Sequence, residues 1–384
     1  MSKLPIYLDY MATTPIDPLV LEEMLPFMQT QAGFGNAASV THAYGIAALK
    51  AVETARATFA QTIGATPESI IFTSGATEAT NLALIGASRF YQRKGRHIIT
   101  LATEHKSVLA TCEYLTREGF SVTYLMPKPN GLLDLETLKA ALTPETILVS
   151  IMHVNNEIGV IQDINAIGAL LASKGILFHV DAAQSAGKLA INLTNLNVHL
   201  MSFSAHKNYG PKGVGALYVR QRPRVRLEAL SFGGMQERGL RAGTQPVHQI
   251  VGMSAAFVLS EQLREQEQAR LLALRQYLWH NIRVLPNIQL NGDEKIRVAN
   301  NLNVSFTHVD ASKLLPALSE LAISNASACS AASQHPSYVL KALGLKDKQA
   351  FSALRISLGR FTTEEDIDNT ISIMLKRLPS LMSN

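Results

Sequence analysis

Lys207 closes an apolar run, Leu200 to Phe203, and opens a glycine-punctuated turn, Asn208-Tyr209-Gly210-Pro211-Lys212-Gly213. Desolvating an ammonium is costly, so a lysine in such a place is paired or chemically engaged, and a desolvated amine becomes a nucleophile. One use of that nucleophile is a Schiff base with pyridoxal 5'-phosphate (PLP). The cofactor makes two further demands: an acidic side chain facing its pyridine nitrogen, and a nest of hydroxyls and backbone N–H groups for its phosphate. Asp181 ends the apolar run Ile176 to Val180, and Ile70-Ile71-Phe72-Thr73 leads into Ser74-Gly75-Ala76-Thr77-Glu78. The latter is a strand opening a helix, the geometry that binds phosphate. Taken singly, these are also a loop lysine, a strand-end turn and an ordinary helix start. Taken together, they fit one cofactor. The run Gly210 to Gly215 is not a nucleotide loop, because it leads into the strand Ala216-Leu217-Tyr218-Val219 where such a loop would open a helix.

Residues at strand ends need strands to carry them. The spacing predicts strands at Ile6–Tyr10, Ile70–Thr73, His97–Leu101, Ser121–Leu125, Thr146–Met152, Leu177–Asp181 and Leu200–Ser204. Helices are expected over Pro18–Met28, Gly45–Gly64, Thr77 to about Gln92, Ser107–Glu118 and Asp134–Leu142. Continuous apolar strands with helices between them indicate a mostly parallel sheet covered on both faces, whose ligands bind at the carboxyl ends of the strands. Thr77, Glu104-His105-Lys106, His153 to Glu157, Asp181 with Gln184, and Ser204 to Lys207 all fall at such ends. The small-residue loop Gly33 to Ser39 reads equally as a linker or as a close backbone approach to a ligand.

Beyond Pro246 an amphipathic helix to about Leu285 connects to a second, smaller α/β layer. That layer has strands at Asn301–Phe306 and Ala353–Leu358, a helix from Asp310 to about Leu321, and a last helix opened by a capping box at Thr362-Thr363-Glu364-Glu365. The expected division is 15–260 for the large PLP-binding domain, and 1–14 with 261–384 for the small one. The stretch from Ile323 to Pro336 has almost nothing to pack and reads as an exposed, mobile loop with Cys329 at its centre. An accessible thiol is a candidate nucleophile, whereas Cys112, in a partly apolar helix, reads as buried and inert.

The 384 residues are 47% hydrophobic and 17% charged, which fits a globular chain with a substantial core. The formal charge of +5, with a pI near 9.1, is spread rather than gathered in runs, so no direct stable nucleic-acid binding is expected. Two cysteines do not make a disulfide framework. With no signal-like N-terminus and no apolar stretch that could span a bilayer, a cytoplasmic location is expected, with no membrane association.

The motifs Tyr7-Leu8-Asp9-Tyr10, Ala12-Thr13-Thr14-Pro15, Phe72 to Glu78, Thr103-Glu104-His105-Lys106, Thr146 to Gly159, His179-Val180-Asp181, Ser202 to Gly213, Glu237-Arg238-Gly239, Ser327-Ala328-Cys329 and Ser357 to Glu365 occur in one order along the chain. In these the sequence resembles the cysteine desulfurases of iron–sulfur cluster assembly, the class with a long catalytic loop. The resemblance implies an α/β fold of the fold-type I PLP-dependent transferases (aspartate aminotransferase-like), with a mostly parallel, seven-stranded type of sheet and a small α/β domain. It also implies a homodimer. Lys207 would hold the cofactor covalently, Asp181 would pair with the pyridinium, and Gln184 and Asn156 would lie near the phenolic oxygen. His105 would stack on the ring and take part in proton transfer. Ala76, Thr77, Ser204 and His206 would cradle the phosphate, with Thr244 reaching across from the other subunit. Arg355 would clamp the carboxylate of L-cysteine, with Asn36 assisting. Cys329 would take the sulfur as a persulfide, releasing L-alanine, and pass it to a scaffold protein and other acceptors for cluster assembly and tRNA thiolation. No metal site is implied beyond a transient contact of Cys329 with a partner's cluster.

The chain departs from the family's usual pattern at Met235 (commonly glycine), Met11 (commonly serine) and Ala37 (commonly proline). It also ends at Asn384 without the longer tail that helps the family dock its scaffold protein. The competing readings are a PLP-dependent cysteine or selenocysteine lyase or aminotransferase, which would not need Cys329, and a non-catalytic assembly scaffold, which would need neither Lys207 nor Arg355.

Overall fold

The computed structural model describes residues 4–30, 33–307, 309–325 and 335–381. Its strands are β1 (Ile6–Tyr7), β2 (Ile70–Thr73), β3 (His97–Leu101), β4 (Ser121–Leu125), β5 (Thr146–Ser150), β6 (Leu177–Asp181), β7 (Leu200–Ser204) and β8 (Gly215–Val219), then β9 (Ile288–Leu290), β10 (Asn301–Phe306), β11 (Leu321–Ala322), β12 (Ser324–Asn325) and β13 (Leu354–Ser357). The helices are α1 (Pro18–Met24), α2 (Ala43–Thr62), α3 (Ala76–Tyr91), α4 (Lys106–Arg117), α5 (Leu135–Ala141), α6 (Ile164–Ala172) and α7 (Val247–Ile282), then α8 (Ala311–Ala317), α9 (Tyr338–Ala342), α10 (Asp347–Phe351) and α11 (Glu364–Arg377).

The main sheet runs β2-β8-β7-β6-β5-β3-β4. Only β8 is antiparallel to its neighbours, so the other six strands end on one edge. β2, β3, β5, β7 and β8 are buried at every residue, because each face meets its own core. Met201 and Phe203 of β7 pack into a cluster with Phe59, Phe178 and Phe257. Leu200 faces the other way, into a cluster with Leu82, Leu84 and Ile98. Two-sided burial is why these strands read as unbroken apolar runs.

β12, β13, β10 and β9 form a second, antiparallel sheet, and β1 pairs in parallel with β11. Its core contains Leu8, Leu274, Leu302, Phe306, Leu354 and Ile356. Helix α7, 36 residues and thus about 54 Å long, reaches from the first core at Phe257 to this one at Leu274.

Several expected boundaries move. The first helix stops at Met24 and continues as a 3₁₀ turn, Leu25–Phe27, because Pro26 lacks the amide that would carry it on. The helix expected to reach Leu321 ends at Ala317, one residue past an internal proline, and Leu321 begins a strand instead. The final capping box is Thr363 with Asp366, one residue later than read, and Ser324–Asn325 is a strand where a loop was expected. Cys329 lies outside the described residues.

Candidate active site

The sheet order sets the site. Because β7, β6, β5 and β3 are adjacent and parallel, the residues after their carboxyl ends fall side by side: Lys207, Asp181, Asn156 and His105. They line one cavity of ≈ 600 Å³, together with Ala76, Thr77, Gln184, Ser204, His206 and Arg355. A larger groove, ≈ 740 Å³ between α1, α2 and α7, contains none of these groups and lacks the means for this chemistry.

Lys207 ends a 3₁₀ turn, Ala205–Lys207, that follows β7 directly. Its Nζ donates to the carbonyls of Ala12 at 2.6 Å and Met11 at 3.0 Å. Gln184 Nε2 donates to the same Met11 carbonyl at 2.9 Å. Behind them Lys188 Nζ donates to the Gln184 carbonyl at 3.0 Å, and burial beside Lys207 pulls its pKa down to about 7.

Asp181 is buried and accepts the Ala183 N–H at 2.9 Å. Burial raises its pKa, opposed by His105, the Ala183 N–H and Lys207. A cationic partner in the cavity would hold it ionised, as a pyridinium does. His105 caps α4: its Nδ1 accepts the Ser107 N–H at 3.1 Å and sits 2.8 Å from Ser107 Oγ. An accepting Nδ1 carries no proton, so the neutral ring bears its proton on Nε2. Burial lowers the His105 pKa, Asp181 opposes the shift, and Lys207 and Lys106 reinforce it. His105 therefore stays neutral as pH falls past the ordinary imidazole value of 6.5 and takes its proton only below it. In the holoenzyme, the ¹³C-histidine resonance that disappears in His105→Gln is expected to titrate below 6.5; titration at or above that value contradicts the lowering by burial.

At β2 the chain enters α3 through Gly75, whose φ of 154° favours glycine. A Cβ built on Gly75 meets no protein atom within 4 Å, so it would project into open space of the cavity. Gly215 fits because its own Cβ would lie 2.6 Å from the Gly75 Cα. The first-turn N–H groups of α3, with His206 and Lys212 on the wall, suit a phosphate. His206 is held by Thr13 Oγ1 at 3.1 Å, and burial, with the nearby lysines, lowers its pKa to about 4. Asn156 Oδ1 is buried without a hydrogen-bond partner among the described residues. An orphaned amide oxygen, an open glycine cradle and a buried carboxylate together fit PLP.

Asn36 does not line this cavity; its Oδ1 accepts the Ala38 N–H at 2.9 Å. Thr244 is exposed and also lies outside it. Four residues that the sequence reading left without roles either line the cavity or are buried next in the chain to residues that do. Asp9 and Met11 line the cavity. Asp9 lies near the end of the expected strand Ile6–Tyr10, much as Asp181 ends its own, but no role was assigned to it. Glu104 is fully buried: Oε1 accepts the Met152 N–H at 2.6 Å, Oε2 has no partner among the described residues, and burial drives its pKa well up. Glu157, bonded to Ser337 Oγ at 2.5 Å, is pushed up to about 7 by burial, with Ser337, Arg355 and Lys106 opposing.

Among the described residues no helix is long and apolar enough to cross a membrane, and no group of three or more His, Cys, Asp or Glu residues is placed to hold a metal.

Comparison with known proteins places these features. The cysteine desulfurase IscS of Salmonella arizonae is 57% identical over 379 residues, covering 99% of this chain and 94% of that protein. Among solved structures, a NifS-like protein superposes with a TM-score of 0.91 at 37% identity, covering 98% of this chain and 100% of the other. SspA in complex with cysteine superposes with a TM-score of 0.81 at 39% identity, covering 93% and 99%. The aminotransferase class-V family matches residues 6–370, across the cavity and both sheets, and the chain belongs to that family.

Proposed function

We infer that this protein is a PLP-dependent cysteine desulfurase serving iron–sulfur cluster assembly. The observation that carries the reading is the convergence of Lys207, Asp181, His105 and Arg355 on one cavity. When bound, PLP supplies an electron sink that weakens the Cα–H bond of an amino acid. The chain does the rest. Arg355 takes the substrate carboxylate, and Lys207, once its amine is free, removes the Cα proton and returns it. Asp181 holds the ring nitrogen's proton, and His105 offers its Nε2–H. Cys329, as a thiolate, attacks the substrate sulfur; an S–S bond forms as the Cβ–S bond breaks, and the electron pair left on the carbon is protonated to give L-alanine. L-Cysteine and a protein thiol thus become L-alanine and a protein persulfide, with no external oxidant.

The finer assignments follow the same reading. The α3 N-terminus, Ser204 and His206 hold the phosphate, and Gln184 and Asn156 face the phenolic oxygen. The protein works as a homodimer in which the exposed Thr244 completes the phosphate site of the other subunit. The exposed Phe232 and Met235, in the loop before Thr244, support an apolar seam there. The two separate packing clusters support a large domain over 15–260 and a small one over 1–14 and 261–384. The reaction needs Cys329 as a free thiol before each turnover, which favours a reducing compartment such as the cytoplasm, and the acceptors of the persulfide include an iron–sulfur scaffold and proteins of tRNA thiolation.

The deciding experiment is a single turnover of the holoenzyme with L-cysteine in the absence of reductant, followed by alkylation and peptide mass analysis. Equimolar L-alanine with one extra sulfur atom on the Cys329 peptide is the expected result. Free sulfide released without a modified Cys329 peptide would mean a simple lyase.

A further inference from the structure

Arg355 is not alone at its end of the cavity. Its Nη2 donates to Asp9 Oδ1 at 2.7 Å and its Nη1 to the Asn156 carbonyl at 2.8 Å, while Nε is buried with no partner among the described residues. The other Asp9 oxygen, Oδ2, accepts from Ser324 Oγ at 2.7 Å, and Ser324 Oγ lies 3.4 Å from Arg355 Nη2. The contacts join three strand segments. Ser324 and Arg355 are register partners across β12 and β13, and Asp9 forms a parallel bridge to Ser357 of β13. The nearby Glu157 is hydrogen-bonded to Ser337 instead, so Asp9 is the carboxylate that touches the guanidinium.

We propose that Asp9 is a positioning residue for substrate binding: with Ser324 fixing one of its oxygens, it holds the Arg355 guanidinium in place before the amino acid arrives. This rests on the reading that Arg355 takes the substrate carboxylate. A long arginine side chain has many rotamers, and ordering it at the moment of binding would be charged against affinity. A buried guanidinium without a counter-charge would also favour other arrangements of the side chain or of its surroundings. Asp9 removes both problems in the empty site. Because Asp9 contacts Arg355 through one edge only, the arginine keeps N–H groups for a second carboxylate.

Such a role acts on binding and leaves the chemical step alone. In the holoenzyme, Asp9→Asn is expected to raise KM for L-cysteine and the Kd of L-alanine by ~10-fold, the scale of one ordered long side chain, with kcat within ~2-fold. The Kd is read from the absorbance change of bound PLP. Ser324→Ala keeps the charge but frees Oδ2, and is expected to raise both constants by ~3-fold. It decides the matter if Asp9→Asn fails to fold. KM and Kd unchanged in the folded variants, or a fall in kcat alone, overturns the role of Asp9. Arg355→Ala separates the two readings: if it too leaves KM and Kd unchanged, the assignment of Arg355 to the carboxylate falls first.

Discussion

Lys207→Ala is expected to cut L-cysteine turnover by ~10⁴-fold or more, since one side chain provides both the covalent hold on the cofactor and the proton transfer at Cα. The structure shows why no neighbour replaces it. Lys188 lies behind the Lys207 main chain, its amine bonded to the carbonyls of Gln184, at 3.0 Å, and Lys207, at 3.4 Å. Lys106 begins α4 on the far side of Asp181 in the strand order, and Lys212 lines the cavity at its phosphate end. The variant is expected to bind PLP without a covalent bond, so that borohydride treatment leaves no labelled peptide, while in the wild type the label falls on the Lys207 peptide. A labelled Lys188 or Lys212 in the wild type would overturn the assignment.

Glu237→Ala is expected to lower the unfolding free energy by ~3–5 kcal/mol, the range for breaking a buried ion pair from one side. Glu237 Oε2 accepts from Arg56 Nη1 at 2.7 Å and the Phe72 N–H at 2.8 Å; Oε1 accepts from Arg56 Nη2 at 2.9 Å and Gln245 Nε2 at 2.5 Å. Side-chain exposures of 3% and 1% leave water no way to compensate. Alanine would strand the guanidinium, which keeps only the half-exposed Glu53 as an anion, and would orphan an amide of β2. It would also release the left-handed pair Glu237 and Arg238, at φ 46° and 59°. Urea denaturation of the holoenzyme measures the change. Less than ~1 kcal/mol would mean that the site relaxes or admits water, and that the pair is worth no more than a surface bridge.

What could be read beforehand follows from what each residue's role depends on. Lys207, Asp181 and His105 sit at or just after the end of an unbroken apolar run, and a run's end is a local property. The order in which the strands stack is not local, yet parallel pairing forces every carboxyl end to one edge, so the convergence could be anticipated without the order. Arg56 and Glu237 are different. They are 181 positions apart, and nothing near either shows that it is buried against the other. Asp9 failed to stand out because its partners, Arg355 and Ser324, meet it only after the second sheet has formed. Asn36 was expected at the site by resemblance alone, with no local signal for it, and its Oδ1 accepts the Ala38 N–H of its own turn. For Pro316, tolerated near the end of a helix, the sequence signal was present, and the longer helix was still the wrong reading.

The acceptors of the Lys207 amine are main-chain oxygens, of Met11 and Ala12, and that separates two kinds of tolerance at position 11. A main-chain carbonyl is common to every amino acid, so exchanging the side chain there leaves the amine its resting place. What the side chain does instead is pack, its sulfur 3.0 Å from Asn301 Nδ2 in a fully enclosed spot. Exchange of methionine for a smaller serine is thus a question of filled volume and of one amide's partner. The amine's tether depends on the backbone path alone, so a nucleophile's surroundings can persist while the letters beside it change.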